Sequence, residues 1–262
     1  MKKNNLLLVI DPQNDFCLPN GALYVPNAEN DMLRLATFIK MNCFNISQII
    51  VSVDTHHVLD ISQQYYWRDD EGNIPAIYTQ ISYIDIKEGK WTPCFEKEKT
   101  IQYIKNLEKQ GEFPHIIWPE HCIVGSSGAA ITNILMDEMK NWARKTGEYF
   151  QVIEKGINPT TEMFGIFRAN IPEPENKCTM ENKELINKIN KYDRIIVAGE
   201  AKSHCVANSI KQLFGYPDIM KKIILLDDCM SNVAGFDTIA LPIYDKAQQM
   251  GVTFEKSINL TL

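Results

Sequence analysis

The chain has 262 residues, 45% hydrophobic and 23% charged, enough apolar content for one large α/β domain or a domain with a sizeable insertion. A formal net charge of −6 gives no basic footprint for nucleic acid or anionic lipid, so neither is expected as a partner. The start MKKNNLLLVIDPQND is too short for a signal-peptide core, and nothing later reaches transmembrane length. Seven scattered cysteines with no CxxC pair argue against a disulfide framework or a zinc ribbon, which makes a reducing cytoplasm the expected compartment.

Short β-type runs alternate with longer helical patterns, the signature of a doubly wound, mostly parallel sheet with helices on both faces. In chain order, strands are predicted near 6–10, 49–53, 115–118, 149–154, 194–199, 222–227 and 252–254, and helices near 29–43, 129–145, 183–188, 206–214 and 238–250. Residues from about 57 to 114 interrupt this rhythm with aromatics, glycines and charge. They are read as an insertion of loops and short elements in a single domain spanning 1–262, placed to shape a pocket. IPEPENKC, 171–178, reads as a solvated connection.

Four apolar runs stop at or near a reactive side chain: LLLVI at Asp11, IIVSV at Asp54, YFQVIE at Lys155 and RIIVAG shortly before Cys205. In an open parallel sheet the ligand crevice lies outside the carboxyl ends of the strands, so these four would converge. Cys205, between a buried strand and the first turn of a helix, would have its thiolate stabilised by the helix dipole. A lysine between a carboxylate and a thiol would keep both ionised. Each residue also has an ordinary reading: a buried structural cysteine, a turn-forming aspartate before Pro12, a surface lysine at a strand end.

Asp54 and His56 form an Asp-x-His pair at a strand end, where alternate side chains point the same way, and His121 in WPEHCIVG offers a third ligand. One carboxylate and two imidazoles leave positions open for water or substrate, as a catalytic metal requires. The donor set suits a divalent ion, zinc foremost, with iron or manganese also compatible. His57 and His115 read as polar surface or capping residues.

Taken together, VIDPQNDFC with GAL following, VDTHH, WPEHCIVGSSGA, IEKGINP and VAGEAKSHCVANSI resemble the isochorismatase-like cysteine hydrolase superfamily, and within it the nicotinamidases most closely. The segments occur in the family's order from residue 6 to about 210, and LLDDCMSNVAGF resembles its next strand and loop. The resemblance implies Cys205 as nucleophile, Asp11 as acid/base and Lys155 as third member of a triad, with Asp54, His56 and His121 holding a metal. It implies an oxyanion hole from the backbone N–H groups of Ala201 and Cys205, with a cis peptide between Glu200 and Ala201. Phe16 and Trp118 fall where nicotinamidases sandwich the pyridine ring.

The implied reaction is hydrolysis of a small planar amide through a thioester, nicotinamide first. A carbamoyl or ureido amidohydrolase with the same triad, and a non-catalytic small-molecule binder, are the alternatives; an isochorismatase is disfavoured by Cys205. The family often forms homo-oligomers, and the sequence leaves that open. Two departures stand out. Asp60 occupies the place where nicotinamidases often carry a further histidine, and the turn before the nucleophile reads Lys202-Ser203 instead of Thr-Asp. The insertion and the Lys202-Ser203 turn are expected to lie close enough to the pocket to change its depth or charge, and Lys202 is the residue that would favour an anionic amide in place of nicotinamide.

Overall fold

The computed structural model describes residues 3–262. Its strands are β1 (Asn5–Ile10), β2 (Gln48–Asp54), β3 (Trp67–Arg68), β4 (Thr92–Pro93), β5 (Gln151–Lys155), β6 (Arg194–Gly199), β7 (Ile223–Leu226) and β8 (Thr253–Glu255). Its helices are α1 (Asn14–Cys17), α2 (Ala28–Met41), α3 (Tyr83–Lys87), α4 (Lys97–Lys109), α5 (Asn133–Thr146), α6 (Lys183–Ile189), α7 (Ala207–Gln212), α8 (Pro217–Met220) and α9 (Leu241–Gln249). Among the described residues no helix is long and apolar enough to cross a membrane.

All six residues of β1 are buried, and a strand apolar on both faces needs cover on both. It sits at the centre of a parallel sheet ordered β5-β2-β1-β6-β7-β8. On one face Leu7 and Val9 pack against Leu35 and Phe38 of α2 and Met139 and Trp142 of α5. On the other, Leu6, Leu8 and Ile10 meet Ile186 of α6, Ile210 of α7 and Ile243 of α9. This is the expected doubly wound α/β architecture.

The strand order reverses between β1 and β6, the switch point where such sheets open a crevice. Gly199 ends β6 with φ +116°, and a Cβ there would lie 2.0 Å from the Ile10 carbonyl oxygen. Only glycine lets the two strand ends approach so closely. β1 is cut off at the same level by Asp11, in the left-handed region at φ 44°, with Pro12 following.

Three predicted elements are corrected. Residues 115–118 do not join the main sheet; Ile116 and Trp118 make isolated bridges to Gln80 and Gln63. The Trp118 N–H donates to the Ser62 carbonyl and the Ile117 N–H to that of Thr79, so residues 62–80 satisfy the backbone of this apolar run. The helix predicted from Ala129 begins at Asn133, because 130–132 is drawn into backbone bonds with Pro12 and Asn14.

The 57–114 stretch is also more ordered than loops and short elements. It holds the 13-residue α4, whose Thr100, Tyr103, Ile104 and Leu107 are buried at helical spacing. These pack with Tyr66, Trp67 and Ile117 into a third core. His115, read as a surface or capping residue, is buried there with Nε2 3.1 Å from the Ile61 carbonyl, and burial pushes its pKa down to about 4.

Candidate active site

Asp54 and Lys155 end adjacent parallel strands and stand in register. Lys155, 1% exposed, turns its Nζ inward to 2.9 Å from Asp54 Oδ1 and 3.0 Å from Asp11 Oδ2. Burial opposes its charge, but the two carboxylates outweigh it and push the ammonium pKa well above its usual value. The next residue, Gly156, has φ +76°, and a Cβ there would stand 2.7 Å from Asp54 Oδ1, so the turn after Lys155 closes only over a glycine.

Cys205 lies in a π-turn, Lys202–Val206, between β6 and α7, one turn earlier in the winding than the regular helix start predicted. Its sulfur and carboxylate oxygens of Asp11 and Asp54 all lie within 4.8 Å of one another. Asp11 is fully buried and accepts a 2.6 Å hydrogen bond from the Ser52 hydroxyl. Its carboxyl pKa is raised, chiefly by burial, against the pull of Lys155. Cys205 is pushed well up by burial too, with Lys155 opposing. At both groups burial disfavours the ionised form and Lys155 supports it.

Asp54 also faces the histidines. Its Oδ2 is 3.3 Å from His56 Nε2 and 3.9 Å from His121 Nε2, and all three residues are buried with their donor atoms within 4.8 Å of each other. Bonds of about 2.0–2.1 Å at tetrahedral angles put ligand atoms roughly 3.4 Å apart, so this set fits a divalent ion. Both imidazoles are held from behind: His121 Nδ1 is 2.8 Å from the Pro119 carbonyl, and His56 Nδ1 is 3.1 Å from Asp60 Oδ2. Burial and His56 push the His121 pKa down to about 4, which favours the neutral ring a metal needs, whereas Asp54 and Asp60, against burial, push that of His56 well up, so a metal bound there would displace its proton. Asp60, at the place of the missing histidine, is thus an orienting carboxylate, fixed in turn by the Ser62 N–H and hydroxyl.

A cavity opens over these groups, lined by Phe16, Leu23, Asp54, His56, Trp118, His121, Glu162, Phe164, Ala201, His204, Cys205 and Val233. Phe16 and Trp118 are both in its wall, and the Glu200–Ala201 peptide is cis as the resemblance implied. No lining residue comes from 57–114. That segment stands behind the wall instead, Tyr78 edge-on to Trp118 at 5.9 Å and Phe113 against His204 at 5.7 Å.

Sequence reading missed several residues here. Gln13 is buried and clamps the Asp54 backbone, accepting its N–H at 2.6 Å and donating to its carbonyl at 2.7 Å. Asp15 accepts the Cys122 N–H at 2.7 Å, which fixes the loop carrying His121. Glu162 is buried in the wall with its carboxyl pKa pushed up to about 8 by burial. Gln13 and Asp15 stand in DPQND, a run too polar for its neighbours; nothing in TEMFG singles out Glu162.

No family model matches the chain. A nicotinamidase from Saccharomyces cerevisiae is 24% identical over 226 residues, 84% of this chain and 85% of that protein. The yeast nicotinamidase bound to the inhibitor nicotinaldehyde superposes with a TM-score of 0.67 at 17% identity, covering 96% of this chain and 99% of that one. A nicotinamidase/pyrazinamidase from Acinetobacter baumanii gives 0.65 at 19% identity, with 99% of both chains covered. The chain has the fold of these nicotinamidase structures. A third structure of that fold, a pyrazinamidase from Pyrococcus horikoshii in complex with zinc, gives 0.58 at 17% identity over 97% of this chain and 99% of that one.

Because the three donors fit an ion, protein purified without chelator should carry about one divalent metal per chain, measurable by elemental analysis. Asp54→Ala and His121→Ala should each strip most of it. Asp60→Ala, which only frees the back of His56, should weaken affinity by about 10–100-fold. Unchanged metal content in the first two variants would rule out this ligand set.

Proposed function

We propose that the chain is a cysteine amidohydrolase that converts a small planar aromatic amide, nicotinamide foremost, to its acid and ammonia. The observation that carries this reading is the convergence of the Cys205 thiol with the Asp11 and Asp54 carboxylates, paired to Lys155, beneath a cavity walled by Phe16 and Trp118. A thiol with its own base and a buried cation is the minimum for acyl transfer, and it has no use in a passive binder.

In this mechanism the amide stacks against Phe16 and Trp118 with its carbonyl carbon at Cys205. Asp11 takes the thiol proton as sulfur attacks, and Lys155 stabilises the carboxylate before and after. The N–H groups of Ala201 and Cys205 receive the oxyanion, a contribution of about 10²–10³ in rate per donor. Asp11 returns the proton to the leaving nitrogen, ammonia departs, and Asp11 then deprotonates the water that cleaves the thioester. A divalent cation held by Asp54, His56 and His121 would supply a Lewis acid that orients a ring nitrogen or polarises water.

Lys202 favours the neutral amide over the carboxylated alternative. Its Nζ is 2.6 Å from Asp227 Oδ1 and lies over the Tyr244 and Phe254 rings, away from the cavity. None of the described lining residues is Lys or Arg, so no free cation awaits an anionic substrate. The test is kcat/KM for ammonia release from nicotinamide and pyrazinamide, and for cleavage of a carboxylated ureido or carbamoyl compound, on one metal-replete preparation. The aromatic amides should lead. A preference for the carboxylated compound above about tenfold, or ~1.4 kcal/mol, would overturn the nicotinamide assignment.

A further inference from the structure

His204 precedes the nucleophile, is 5% exposed and lines the cavity. Four aromatic rings box it in edge-on: Phe236 at 5.0 Å, Trp118 at 5.3 Å, Phe113 and Phe164 both at 5.7 Å. Its Nδ1 is 2.9 Å from the hydroxyl of Ser203, which is fully buried and outside the cavity lining. That hydroxyl already accepts the Val233 N–H at 3.0 Å. Its own proton has one acceptor within reach, His204 Nδ1, and an unspent buried donor is costly. The Ser203 O–H therefore donates to Nδ1, and the neutral ring carries its remaining proton on Nε2. Burial keeps the ring neutral, with its pKa pushed down to about 4.

With Nδ1 tied to Ser203, which lies outside the cavity lining, Nε2 is the nitrogen that His204 has left to offer the cavity it lines. Among the described residues no hydrogen-bond acceptor meets it; the four rings offer only weak π contacts. Trp118 Nε1 is likewise a buried N–H without an acceptor.

We propose that His204, oriented by Ser203, is a specificity-determining hydrogen-bond donor that, beside nicotinamide, admits aromatic carboxamides with a second ring acceptor beyond the nitrogen nearest the Asp54–His56–His121 cluster, and raises their turnover relative to nicotinamide. This rests on the amidohydrolase reading above. Ser203 is a positioning residue acting through His204.

Pyrazinamide and nicotinamide test it, since pyrazinamide adds one ring nitrogen and no bulk. The ratio of their kcat/KM values is measured in wild type, His204→Phe and His204→Gln. His204→Phe keeps an aromatic side chain in the box without a donor, and should lower the pyrazinamide-to-nicotinamide ratio by about fivefold, the worth of one neutral hydrogen bond. His204→Gln restores an N–H and should recover the ratio to within about twofold, through KM and not kcat. Histidine nitrogen NMR should show the Nε2–H tautomer in wild type and a mixture in Ser203→Ala. A ratio unmoved by His204→Phe, or an Nδ1–H tautomer in wild type, overturns the inference. A damaged fold moves both substrates alike and leaves the ratio where it was, which also counts against it. If wild type itself hydrolyses neither amide, the amidohydrolase reading fails first, and the inference falls with it.

Discussion

Cys205→Ala and Cys205→Ser are expected to abolish amide turnover while leaving the fold intact. The side chain sits in a short π-turn with 5% exposure, and alanine or serine fits the same space with little change in packing. In the proposed route the sulfur forms the covalent bond, so its loss removes the acyl intermediate and leaves only slow background hydrolysis. A serine hydroxyl beside Asp11 does not substitute, because it is far less acidic than a thiol and the carboxylate is a weak base for it. The measurement is steady-state ammonia release alongside circular dichroism and thermal unfolding. Near-native activity in either variant would sink the covalent mechanism. So would wild-type enzyme that yields no acyl adduct of Cys205 by mass spectrometry on rapid quench.

Lys155→Met is expected to cost both stability and activity. The ammonium is fully buried between Asp11 and Asp54 at 3.0 and 2.9 Å. Methionine fills similar volume without charge, which leaves two carboxylates facing each other in a low dielectric. Removing one partner from a buried ion pair typically costs about 3–5 kcal/mol, and here the stranded carboxylates are two. One of them escapes by taking a proton, which in the proposed route removes either the base at Asp11 or the anionic ligand at Asp54. Urea unfolding should register the loss, and kcat should fall by orders of magnitude even where the variant is fully folded. Stability within about 1 kcal/mol of wild type, the scale of a surface pair, would show that Lys155 does not carry the two charges.

The two variants probe different links of one chain of cause. In the proposed route Cys205 bonds to the substrate, whereas Lys155 acts by its charge on Asp11 and on Cys205. A Lys155→Met enzyme kept folded by cold or osmolyte should be alkylated at Cys205 more slowly than wild type, while Cys205→Ala should bind a divalent metal as wild type does.

Much of this was legible in the residues. Strand ends at Asp11, Asp54 and Lys155 could be read because each apolar run is broken by a side chain that cannot stay in a strand core without a partner, and Cys205 because it follows the RIIVAG run at the turn into a helix. That a parallel sheet gathers such ends on one side follows from connectivity alone, so the grouping was available before any coordinates. The Asp54–His56 spacing was readable for the same local reason, since residues two apart in a strand share a face. α4 was legible in principle, its Thr100, Tyr103, Ile104 and Leu107 having helical spacing, but surrounding charge masked the stripe. Tertiary structure alone decided the rest. Asp60 reaches His56, Gln13 clamps Asp54, and Glu162 and His204 enter the cavity wall through contacts between segments far apart in the chain, or through a turn geometry that no local pattern encodes. Lys202 shows the limit most clearly. Its charge and its place beside the nucleophile were plain in the sequence, but its direction was set by Asp227, at the end of a neighbouring strand, and that contact turns the cation away from the substrate.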